Sequence, residues 1–266
     1  MTPLIKIGDV YLKREDQNLT GSAKDRSLEL QIKNLVKNNY LSAVISSTGN
    51  AAISAQYFCH KHDINLTVFV SPHADKSKLK LIANYIISNR PISDAFKYAK
   101  KNKSYLLRQS TDPTALRGYS QITTEIIKQC PNVSSIFVPV GSGTTLLGIA
   151  SKLPNVIPIF GVQPASHCPI ASVFDHDFIP ENTTITDALS VKLLPLKNRV
   201  IKSITNHSGQ GIVVQNKQVL HSQQLLKSNN IFTSSEGALA LAGLNKIKSQ
   251  INIGNFPVII LTGTKR

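Results

Sequence analysis

Cysteine is scarce in this sequence and acid is short. The three cysteines, Cys59, Cys130 and Cys168, stand far apart and form no CxxC pair. That argues against a disulfide framework or a zinc site and for buried free thiols, and no bound metal is expected. No apolar run approaches the roughly 20 residues that a membrane span needs, so no membrane partner is expected. The opening residues lack the basic-then-apolar build of a secretory leader, so a cytoplasmic location is expected. Asp and Glu total 15 against 30 Lys and Arg, a net charge of +15. Such a surface could attract phosphate backbones. The basic residues are scattered, however, and only Lys97, Lys100, Lys101 and Lys103 cluster, with no recognition motif beside them. Nucleic acid is therefore not the expected partner, although anionic small molecules would benefit from the field.

What is present is ordinary globular sequence, 41% apolar and 17% charged over 266 residues, long enough for two domains. Short β-branched runs at 10–13, 43–46, 66–70, 104–107, 135–140, 157–163 and 258–262 read as strands. Helical patterns lie between and after them, at 24–38, 51–62, 75–84, 92–101, 116–129, 144–153, 221–229 and 237–247. This alternation predicts an α/β fold with mainly parallel sheets. The turn-rich segment at 109–113 marks the expected boundary. It gives an N-terminal domain over 14–118, a C-terminal domain over 119–266, and residues 1–13 as an edge segment on the latter. Ligands of parallel α/β sheets gather at the carboxyl ends of strands.

Three loops there carry chemistry. Gly141-Ser142-Gly143-Thr144-Thr145 follows an apolar strand and opens a helix, a build suited to a phosphate. It has neither the lysine of a nucleotide P-loop nor a GxGxxG pattern; a plain glycine-rich turn is the competing reading. Ser47-Thr48-Gly49-Asn50 offers more polar side chains than the one that a helix cap requires. In Gly21-Ser22-Ala23-Lys24-Asp25-Arg26, Ser22 reads as an N-cap with Asp25 three residues on. Lys24 then falls in a first helical turn, where the dipole disfavours an ammonium, and becomes a candidate nucleophile toward an aldehyde. Taken alone, the hexapeptide reads better as one that carries a solvated surface lysine.

In this order the segments resemble the fold type II, tryptophan-synthase-like pyridoxal phosphate enzymes, and among these the threonine synthases. The resemblance is carried by Thr2-Pro3-Leu4, Lys13-Arg14-Glu15-Asp16, Thr20 to Arg26, Ser47 to Asn50, Gly141 to Thr145, Ser235-Glu236-Gly237-Ala238 and Leu261-Thr262-Gly263. It implies two three-layer α/β domains with the active site in the cleft between them, a homodimer, and pyridoxal 5'-phosphate as cofactor. Lys24 matches the lysine that holds the cofactor in a Schiff base and shuttles protons. Asn50 matches the amide at the cofactor's ring oxygen, and Gly141, Ser142, Gly143, Thr144 and Thr145 match the cofactor-phosphate loop. Thr262 matches the hydroxyl facing the pyridine nitrogen, where a neutral group tempers the electron sink and favours elimination or replacement. Ser47, Thr48, Gly49 and Asn50 match the substrate-gripping loop, joined by Ser110.

The leading expectation from this likeness is conversion of O-phosphohomoserine to threonine and phosphate. Departures point elsewhere. In the segment from Gln109 to Gly118, Ala115 stands where many threonine synthases have arginine, with Arg117 two residues beyond it, and Gln109 stands where they have asparagine. A larger residue is usual where Ala23 stands. The alternatives are threonine or serine dehydration, or β-replacement that makes cysteine, because neither leaving group needs a second phosphate site. A non-catalytic, basic binding protein is the alternative of another class.

Overall fold

The computed structural model describes every residue except Asp75, Lys192 and Arg266, and only the backbone of Ser77, Lys78 and Asp187. The chain forms two compact units, Ser22–Gly118 and a second made of Met1–Gly21 with the chain from Tyr119 onward. The second unit opens with β1 (Leu4–Ile7) and β2 (Val10–Lys13), an antiparallel pair turning at Gly8, whose φ is +55°.

The Ser22–Gly118 unit follows with α1 (Lys24–Lys37), β3 (Ser42–Ser46), α2 (Asn50–Lys61), β4 (Asn65–Val70), α3 (Lys76–Leu79), β5 (Ile86–Ile87), α4 (Pro91–Asn102) and β6 (Tyr105–Leu106). Its four strands are parallel in the order β5-β4-β3-β6. Successive strand residues point to opposite faces. Accordingly Ala43 and Ile45 pack with Leu28, Ile32, Ala52 and Phe58 of α1 and α2, whereas Val44 packs with Ala95 of α4. The result is a three-layer sandwich. The helix expected at 75–84 is only the four-residue α3, and Asp75 lies outside the described residues. It stops because Ile82 N–H closes a turn on Leu79, and Ala83 N–H is taken by the Gln56 side chain at 2.7 Å.

After α5 (Pro113–Gln129) come β7 (Ser135–Pro139), α6 (Thr144–Ala150), β8 (Ile159–Pro164), α7 (Lys197–Asn206), β9 (Gly211–Val214), α8 (Asn216–Ser228), α9 (Ser235–Ile247) and β10 (Pro257–Ile260). The second sheet runs β1-β2-β10-β7-β8-β9, parallel except for the first pair. Strands β7 to β10 are buried along their whole length, which explains their continuous apolar character in place of alternation. Helix α9 is buried almost all round and packs against all four. Its Gly243 permits this, since a Cβ there would come within 2.6 Å of Val162 Cγ2. Two elements escaped the sequence pattern in this unit besides β1, namely α7 and β9; β5 did so in the other. Among the described residues no helix is long and apolar enough to cross a membrane.

Candidate active site

Within the Ser22–Gly118 unit, three predicted segments converge at the carboxyl ends of neighbouring parallel strands. Strand β3 leads into Ser47, Thr48, Gly49 and Asn50, and its neighbour β6 leads into Gln109 and Ser110. Lys24 is the first residue of α1, and its Nζ donates to Gln109 Oε1 at 3.1 Å. The other end of the same amide donates from Nε2 to Ser27 Oγ at 2.6 Å. Lysine and loop are thereby joined across 85 residues of chain.

The start of α1 differs from expectation. Ser22 does not cap it: the residue ahead of the helix is Ala23, already helical at φ −57° and ψ −15°. Backbone bonds from Asp25 N to Ser22 O and from Arg26 N to Ala23 O close the first turn instead. Among the described residues, the buried Ser22 hydroxyl has no hydrogen-bond partner. Helix α2 is uncapped as well. Gly49 precedes it, and among the described residues no side chain caps its leading N–H groups. The Ser47 hydroxyl accepts from Gly49 N–H at 3.3 Å, leaving Thr48 and Asn50 side chains half-buried at the strand end. Capping therefore does not account for this loop, and its polar groups remain available to a ligand.

Just past Ser110, Asp112 organises the start of α5. It accepts from Thr114 N–H at 2.8 Å, from the Thr114 hydroxyl, from Tyr105 Oη at 2.6 Å and from Gln31 Nε2 at 2.7 Å. Burial pulls the Asp112 carboxyl upward, but these hydrogen bonds outweigh it and hold the group below its ordinary value. Burial, followed by the bond to Asp112 and its charge, pushes Tyr105 up to about 12. Ala115 is fully buried in α5, and Arg117 is exposed. Two residues along a helix lie roughly 200° apart around its axis, so the two positions face different ways.

In the other unit, Gly141 to Thr145 follow β7, and Thr262 lies two residues beyond the end of β10, the strand paired with β7. Gly143 has φ +83°, a left-handed turn that starts α6 with no side-chain cap on its first N–H groups. Thr144 is buried, and its hydroxyl lies 3.0 Å from Ser142 Oγ. Thr262 is half-buried, and its neighbour Gly263 accepts from Thr233 Oγ1 at 2.8 Å and Ser234 N at 2.9 Å. Ser234 caps α9 by accepting from Gly237 N–H at 3.2 Å. The segment Ser235 to Ala238 is thus held beside the strand end that carries Thr262. Among the described residues no group of three His, Cys, Asp or Glu side chains could hold a metal.

The residue that sequence reasoning passed over is Gln109. It was marked only as a departure in the loop before α5, and nothing local to that loop signals its bond to Lys24.

Comparison with known proteins gives the family and the fold. The family described as "Pyridoxal-phosphate dependent enzyme" matches residues 1–263. A catabolic L-threonine dehydratase of Staphylococcus aureus (strain N315) is 28% identical over 290 residues, covering 98% of this chain and 83% of that protein. Maize serine racemase superposes with a TM-score of 0.87 at 18% identity, over 100% of this chain and 88% of that one. An O-acetylserine-dependent cystathionine beta-synthase from Helicobacter pylori superposes with a TM-score of 0.80 at 21% identity, over 99% and 92%.

Proposed function

Because this chain belongs to the family of pyridoxal-phosphate-dependent enzymes, we propose that it is a lyase that removes the β-hydroxyl of a small amino acid, L-threonine or L-serine. The net products are the 2-oxo acid and ammonia. The observation that carries the reading is the likeness, along 98% of the chain, to an L-threonine dehydratase.

The residues present suit pyridoxal phosphate. Gly143 supplies the left-handed turn, the first N–H groups of α6 carry no side-chain cap, and Ser142, Thr144 and Thr145 add hydroxyl donors, with no acidic side chain in the loop. That donor set fits a phosphate dianion. Thr262 offers a neutral hydroxyl for a ring nitrogen. When bound, the cofactor accepts the electron pair released as the substrate's Cα–H bond breaks.

The chain's own residues divide the remaining work. Lys24 Nζ would hold the cofactor and, as a free amine, would take the proton from the substrate's Cα. Ser47 and Thr48, uncommitted to capping, hold the substrate carboxylate, and Asn50 orients the cofactor ring oxygen. Ser110 stands beside them on the neighbouring strand end.

Support for the threonine-synthase reading weakens at α5. A substrate phosphate calls for a convergent cation, yet Ala115 is a packed core residue and Arg117 faces away from it. A hydroxyl leaving group needs no such cation. The family likeness also suggests a homodimer, which sedimentation would test. The test of substrate is a panel of L-threonine, L-serine, O-acetylserine with sulfide, and O-phosphohomoserine on cofactor-loaded protein. The expected outcome is 2-oxobutanoate from threonine and pyruvate from serine. Phosphate release from O-phosphohomoserine with no oxo acid from the first two would overturn the proposal.

A further inference from the structure

We infer that Gln109 is a positioning residue for the Lys24 amine, an inference that rests on Lys24 being the residue that carries the cofactor. Gln109 Oε1 accepts from Lys24 Nζ at 3.1 Å, and its Nε2 donates to Ser27 Oγ at 2.6 Å. Ser27 is fully buried. An ammonium only donates and so takes the amide oxygen, while the Ser27 hydroxyl donates its own proton to Lys24 O at 3.4 Å and so accepts from the amide nitrogen; the two contacts agree on one orientation of the amide.

The loop that carries Gln109 is held to a single stripe of α1. Lys24, Ser27 and Gln31 are spaced three and four residues apart, so their side chains share one helical face. Lys24 and Ser27 bind Gln109, and Gln31 binds Asp112 at 2.7 Å. Asp112 is in turn held by Tyr105 and Thr114. Gln109 therefore reaches Lys24 from a segment pinned to the lysine's own helix at Gln109 and again at Asp112.

The chemistry of the contact suits an amine that must alternate between bonded and free. A carboxamide oxygen accepts a hydrogen bond from either protonation state of the amine and takes no proton itself. A carboxylate in its place would favour the ammonium, which can neither displace the substrate nor take a proton from Cα. Gln109 holds the free amine in place between these steps and leaves its basicity for the reaction.

The test is trace acetylation of full-length protein stripped of cofactor, with Lys24 compared against an exposed lysine by peptide mass spectrometry. Gln109→Glu is expected to slow Lys24 acetylation about tenfold at neutral pH, through the added charge. Gln109→Leu is expected to speed it about fivefold by removing one hydrogen bond. Ser27→Ala, which frees the amide from its anchor, moves the rate in the same direction as Gln109→Leu by a smaller factor, and carries the test if the leucine variant does not fold. In loaded enzyme, Gln109→Leu lowers kcat about tenfold while KM stays within about twofold, and Gln109→Asn, one methylene short, falls between. Wild-type acetylation rates at Lys24 in folded Glu and Leu variants would overturn the inference. Reduction of loaded wild-type protein onto a different lysine would remove the Lys24 reading and this inference with it, so the two failures are told apart.

Discussion

The Tyr105 hydroxyl donates to Asp112 Oδ2 at 2.6 Å, and the pair titrates in opposite directions. Tyr105 is pushed from 10.0 to about 12, first by burial and then by Asp112; Asp112 is held down by its donors against the effect of burial. The raised group favours folding below its unfolded value, and that contribution is lost as pH climbs from about 10 toward about 12. The depressed carboxylate favours folding above its unfolded value near pH 4, and that contribution is lost as acid protonates it below there. Tyr105 should therefore ionise late in an ultraviolet titration, and Tyr105→Phe should remove its late step at a cost of about 1 kcal/mol in denaturant melts. Asp112→Asn should flatten the acid limb of the stability curve. A titration curve left unchanged by Tyr105→Phe at its alkaline end would refute the pairing.

Gly143→Ala places a Cβ on a residue at φ +83°, and the new methyl would overlap Val200. Left-handed strain and overlap together should cost about 2–4 kcal/mol. Cofactor affinity should fall with it, since the turn presents the loop's N–H groups. Paired thermal melts and cofactor titration by absorbance would show both changes.

Ala115→Arg separates the two substrate readings. Ala115 is fully buried, so an arginine there would carry its bulk and charge into a packed core. The variant should lose about 3 kcal/mol or more and gain no phosphate release from O-phosphohomoserine. A stable variant with that activity would restore the threonine-synthase reading.

The cysteines should separate by access. Burial raises all three thiols, Cys59 to about 12, but Cys59 and Cys130 are buried whereas Cys168 is half-buried. Iodoacetamide on folded protein should modify Cys168 first and Cys59 last, as followed by peptide mass spectrometry.

The parallel α/β fold was legible because its central strands are unbroken apolar runs; β7, β8 and β10 emerge close to where the pattern put them. Helix α7 was not, since it is short and mostly polar, with only Val200 and Ile204 of its ten residues buried. Strand β5 is two exposed isoleucines at a sheet edge and carries no alternation. The loops of the site were legible as polar clusters directly after strands. The cap on α1 was misread because Ala23 enters the helix early, a backbone choice that Ser22 does not signal. Gln109 was illegible for a different reason. Its partner is 85 residues away, and contacts of that separation are set by packing and leave no local pattern.

The most direct test is borohydride reduction of the purified, cofactor-loaded protein, followed by digestion and mass spectrometry. A pyridoxyl-phosphate mass on the peptide that contains Lys24, absent in Lys24→Ala, is the predicted result. A label on any other lysine, or none on a protein that carries the cofactor's absorbance, would contradict it.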